Sequence, residues 1–138
     1  MRLFHYYLPP KNVIINKIIK LMHKRLWLGI LLGALLGIFC IIGIGYRLGY
    51  EGNEMFLFAA WYNRVIMGIL IGLAGSVNIL KGKFNSLTRG ALLGTLVSLD
   101  WFISTDFRDP LGFAAGIGYG IIIDAAVTFY LEKKGNSV

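Results

Sequence analysis

The sequence predicts an all-α integral membrane protein: a compact bundle of four transmembrane helices, preceded by a basic amphipathic N-terminal helix. Three observations lead there. Hydrophobic residues make up 57% of the 138 and charged residues only 15%, whereas an ordinary soluble domain carries about 25% charge. The apolar residues gather into four runs, each long enough to cross a bilayer, which takes about 20 residues. Small residues recur every fourth position in all four runs, a spacing that lets helices pack closely in lipid.

The N-terminal segment, 1–25, opens with MRLFHYYLPP. Its Pro9-Pro10 pair stops any helix before it. From Lys11 to Arg25 the pattern is helical. Asn12, Asn16, Lys17, Lys20, His23 and Lys24 share one arc, and Val13, Ile14, Ile15, Ile18, Ile19, Leu21 and Met22 fill the other. Such a helix suits the headgroup plane, beside anionic lipid headgroups. Nothing between Arg25 and Leu26 breaks a helix, so continuation into the first span is equally open.

The membrane domain, 26–138, holds the four spans. The first, about 26–46, is uncharged; its long basic flank and the lack of an A-x-A site argue for an uncleaved span over a signal peptide. The second, about 55–80, contains Asn63 and Arg64. The third, about 87–105, contains Arg89 and Asp100. The fourth, about 110–131, contains Asp124 and starts at Pro110, which suits a first helical turn. Short connectors make consecutive helices antiparallel neighbours.

Charge sets the expected orientation. Of the 14 Lys and Arg residues, 11 fall on the side shared by both termini and the second connector, and only Arg47 and Arg108 on the other. This split places both termini in the cytoplasm, with the protein in the plasma (inner) membrane. Trp27, Tyr46, Tyr50, Trp61, Trp101 and Tyr130 lie near span ends, as an aromatic belt requires. The same distribution argues against a nucleic-acid partner, and the basic excess faces the lipid bilayer instead.

Fourteen of the 18 glycines lie in the spans. The helix-packing stripes are Gly29, Gly33 and Gly37; Gly68, Gly72 and Ser76; Ser86, Gly90, Gly94 and Ser98; and Gly112, Gly116 and Gly120. They hold the bundle together, or leave one groove for a subunit partner or substrate path.

Arg64, Asp100 and Asp124 are the residues a bilayer should exclude, at roughly 2.5–3.5 kcal/mol each near its centre. Arg64 lies about 12 Å below the outer surface and Asp100 about 7–8 Å, so depth pairs them. Asp124 lies about 10 Å from the inner surface, where Arg89 reaches it. Asn63, beside Arg64, and Tyr119, near the middle of its span, complete the candidate polar site. These charges make structural ion pairs, a polar path for an ion or charged solute, or contacts with another subunit's charges. Asp106, Arg108 and Asp109 form a solvated turn, with Asp109 capping the fourth helix.

No HExxH, GxSxG or P-loop occurs, so no enzyme is expected. His5 and His23 lack neighbouring ligands and Cys40 is alone, so neither a metal nor a cofactor is expected. The function expected is a small oligomeric transporter or channel for an ion or solute, using Arg64, Asp100 and Asp124. The alternative is a non-catalytic subunit or assembly factor of a larger membrane complex, docking through glycine grooves. A third option is membrane remodelling by the basic helix.

Overall fold

The computed structural model describes residues 10–82 and 84–135. The expectations on Arg2, His5 and Lys83 lie outside the described residues. Four helices follow in order: α1, Lys11–Leu48; α2, Glu54–Leu73, which tightens into a 3-10 turn at Ala74–Ser76; α3, Phe84–Ser104; and α4, Pro110–Gly135. Three of them are long and apolar enough to cross a membrane: α1, α2 with its 3-10 turn, and α4. Helix α3 has a similar length, 21 residues, but Asn85, Arg89 and Asp100 make it more polar. All four expected helices are present, and three of them are apolar enough to span; α3, the third expected span, is the more polar one.

Helix α1 is a single rod of 38 residues, about 57 Å long at 1.5 Å per residue. The basic segment therefore continues into the first apolar run instead of turning into a separate element. Its chain between Lys11 and Leu28 has no glycine or proline to interrupt it. Residues 11–24 are all exposed, and burial starts at Arg25. The rod ends at Gly49, whose φ of 87° takes it out of the helical region. The Asn53 amide then donates to the freed carbonyls of Leu48, at 3.0 Å, and Gly49, at 3.3 Å.

Helix α2 stops at Leu73, short of the boundary expected at 80. Two side chains of α3 hold the segment that follows it. Arg89 Nη1 donates to the carbonyls of Gly75 (3.1 Å) and Val77 (2.8 Å). Asn85 Oδ1 accepts the backbone N–H groups of Ile79 (2.7 Å) and Leu80 (3.1 Å). These bonds satisfy polar backbone that another helical turn would have satisfied internally. Ser76 consequently lies exposed in the 3-10 turn, and the small-residue stripe of α2 ends at Gly72.

The last connector carries two left-handed non-glycine residues, Asp106 at φ 51° and Phe107 at φ 59°. Asp109 then caps α4, its Oδ1 accepting the Gly112 N–H at 3.0 Å.

The helices pack as two hairpins. In the first, a Cβ added to Gly29 would strike the Gly68 carbonyl, and one on Gly33 the Arg64 carbonyl. In the second, Gly90 meets the Gly120 carbonyl and Gly94 the Gly116 carbonyl in the same way. The stripes of α1 and α2 face each other, as do those of α3 and α4. Trp61, expected in an aromatic belt, covers Gly37 and donates to the Ala34 carbonyl at 3.1 Å. Between the hairpins lies an apolar cluster of Met67, Ile71, Val97, Ile123 and Val127.

Candidate functional site

The ionisable residues gather along the seam between the two hairpins, in three layers. Each layer has a helix face that explains it.

The layer nearest the chain termini is built on Asp124, whose side chain is 0% exposed. Arg89 grips its carboxylate with Nε to Oδ2 and Nη2 to Oδ1, both at 2.7 Å. Arg25, from α1, donates to Oδ1 through Nη2. Thr128, one turn further along α4, donates to the same oxygen at 3.2 Å and accepts from Arg25 Nη1 at 3.1 Å. A bidentate pair plus two further donors is strong, directional recognition of one carboxylate. It also leaves two guanidinium groups sharing a single negative charge.

The middle layer is Arg64, 1% exposed. Its Nε donates to Cys40 Sγ at 3.2 Å, Nη1 to Ser98 Oγ at 2.8 Å and to Asn63 Oδ1 at 3.3 Å, and Nη2 to the Gly112 carbonyl at 2.9 Å. The Tyr119 ring lies 5.8 Å from the guanidinium carbon, within cation–π range. Asn63 is anchored in turn by donating to the Val97 carbonyl at 3.3 Å. Gly116 makes room: a Cβ there would run into Ser98 Oγ and Arg64 Nη1. Every partner is neutral, and among the described residues no carboxylate forms an ion pair with Arg64.

The layer at the opposite end joins Arg47 of α1 to Asp109, the cap of α4, at 2.7 Å. Asp109 is buried while Arg47 is partly exposed. Comparison with protein-family models finds no match, and searches of curated proteins and of solved structures find no similar protein.

Of the two pairings expected from depth, Arg89 with Asp124 is formed and Arg64 with Asp100 is not. Asp100 is exposed on the outer face of α3. It lies two residues past Ser98, about 200° around the helix, and Ser98 is the residue that faces Arg64. Depth measures position along a helix and says nothing about which way a side chain points. Asn63 and Tyr119 do join Arg64, and Arg89 joins Asp124.

Arg25 is a site residue not expected from the sequence, where it counts only among the basic residues of the N-terminal segment. A signal was present: Arg25 is four residues before Gly29 and so continues the small-residue stripe of α1. The same spacing places Arg64 before Gly68 and Asp124 after Gly120. Among the described residues no group of three or more His, Cys, Asp or Glu side chains stands close enough to hold a metal ion.

Proposed function

We propose that this chain is a small multi-pass membrane protein that passes a small anionic solute along the seam between its hairpins. In this reading it works as an oligomer in the plasma (inner) membrane, with both termini cytoplasmic. The observation that carries the reading is Arg64. A buried cation surrounded by neutral acceptors lacks the counter-charge that offsets desolvation, a cost of several kcal/mol. Ionisable groups kept at such a cost within membrane-crossing helices mark ion and substrate paths. Arg64 supplies the counter-charge to a passing anion, and Ser98, Asn63 and Tyr119 hold the guanidinium ready between passages. The seam is suited to opening because several contacts across it are polar and can be exchanged for contacts to water or solute. Asp100, on the outer face of α3, is no longer part of the path.

The test is solute flux in proteoliposomes holding the full-length protein, with a panel of small anions set against potassium. Anion flux that is lost in Arg64→Met while the protein stays folded supports the reading. Equal flux in Arg64→Met and the parent, or no anion flux in either, sinks it.

A second reading, a subunit or assembly factor of a larger membrane complex, draws on a different observation. Residues 11–24 of α1 are exposed throughout, Ile15, Ile18 and Met22 among them. Docking would then use this exposed stretch, since the glycine stripes face one another inside the chain. Stoichiometric partners on purification from the native membrane would favour it.

A further inference from the structure

Beside the Asp124 layer the seam widens into a cavity of about 1260 Å³. It lies between the loop after α2, the first turn of α3 and the last turns of α4. Arg25, Arg89, Lys81 and Lys133 line it, against one acid, Glu132. The carboxylate of Asp124 is already taken by Arg25, Arg89 and Thr128. It cancels one of the two guanidinium charges and leaves the wall with a positive excess. Among the described residues the buried Arg25 Nε–H has no acceptor, so the donor capacity here exceeds what they satisfy. The wall also includes Asn85 and Leu87 of the first turn of α3, the end of a helix whose dipole favours negative charge.

The cavity is much larger than a bare oxyanion requires, and part of its wall is apolar, from Leu87 and Phe129. Those two features fit a ligand with an anionic head and an organic body. We propose that this cavity binds a phosphate-bearing organic group, with the phosphate held by Arg25 and Lys81 and the organic part against Leu87 and Phe129. Two sources share this chemistry: the headgroup of an anionic phospholipid, and a soluble phosphate ester. The site stands whether or not a solute passes along the seam, because it depends on the cavity and its charge alone.

The experiment uses full-length protein in a neutral detergent and has two arms. In the lipid arm, native mass spectrometry compares retention of phosphatidylglycerol with phosphatidylcholine. In the soluble arm, the thermal unfolding midpoint is followed with glycerol 3-phosphate against glycerol. The expected result is a preference for the phosphate-bearing anion in one arm, which also names the source. Lys81→Gln, in an exposed loop, should weaken that binding by about tenfold, and Arg25→Gln should weaken it further. Should Arg25→Gln fail to fold, Lys81→Gln decides alone. The proposal is overturned if neither anion is preferred over its neutral counterpart, or if the preference is unchanged in Lys81→Gln.

Discussion

Asp124 ties three helices together, from its own position on α4 to Arg25 on α1 and Arg89 on α3. Asp124→Asn keeps the shape but removes the charge from between two buried guanidinium groups. Breaking a buried ion pair in this way costs about 3–5 kcal/mol, and the thermal unfolding midpoint of the purified protein should fall accordingly. Arg64 is expected to behave differently. Its contacts are with neutral groups, and Arg64→Met exchanges a costly buried charge for an apolar side chain of similar length. The loss of its hydrogen bonds to Ser98 and the Gly112 carbonyl acts in the opposite direction. The net change should stay within about 2 kcal/mol, measured by the same unfolding assay. A large loss of stability in Arg64→Met, comparable with that of Asp124→Asn, would make Arg64 a structural residue. Arg25 and Asp100 show how much a single coordinate can hide. Counting residues from a span end locates both in depth, yet only the stripe spacing tells that Arg25 faces inward and Asp100 does not.

The helices owe their arrangement to where glycine lets two backbones meet. A Cβ on Gly29 collides with a carbonyl on α2, which no rotamer change relieves. Gly29→Ala should therefore force the first hairpin apart at a cost of about 1–3 kcal/mol. Gly118 on α4 provides the opposite case, since nothing stands within 4 Å of a Cβ there. Gly118→Ala should stabilise by up to about 1 kcal/mol through helix propensity alone. Thermal unfolding of the two variants, followed by circular dichroism, checks both signs. The end of α2 has a cause of another kind. The residues after Leu73, Ala-Gly-Ser-Val-Asn-Ile-Leu, extend an apolar run with no proline, so a longer helix was the natural expectation. Arg89, 14 and 12 residues beyond the carbonyls it holds, and Asn85, 6 and 5 residues beyond the N–H groups it accepts, draw the backbone of that stretch into a loop. By contrast, the α4 start was legible from Asp109 and Pro110, because capping is a local interaction.

Across the whole molecule, the two hairpins are each sealed by glycine contacts, and a mixed seam of apolar cluster and ion pairs joins them. The charge distribution then sets how the bundle should sit in a membrane. With both termini cytoplasmic, a membrane-impermeant maleimide applied to intact cells should label Glu51→Cys and leave Lys134→Cys unlabelled until the cells are lysed. The native Cys40 is 4% exposed and should stay unreacted in both. Labelling of Lys134→Cys in intact cells would reverse the orientation and place the cavity beside Asp124 on the outer side. The length of α1 belongs to this scale too. At about 57 Å the helix exceeds the roughly 30 Å of a bilayer's hydrocarbon core, so its basic end has to leave the core or bend along it.

By itself, the sequence determined the helical class, the positions of the apolar runs, the charge asymmetry and the stripes of small residues. Each of these is a local or compositional property, set by side-chain chemistry and the helical period. Only the tertiary structure decided that the stripes pair within two hairpins, that Ser98 and not Asp100 meets Arg64, and that Arg25 shares Asp124 with Arg89. Those outcomes depend on the rotation of each helix about its own axis and on contacts between residues 99 or 35 positions apart. Hydrophobic periodicity constrains such rotations weakly in helices that are apolar on nearly every side.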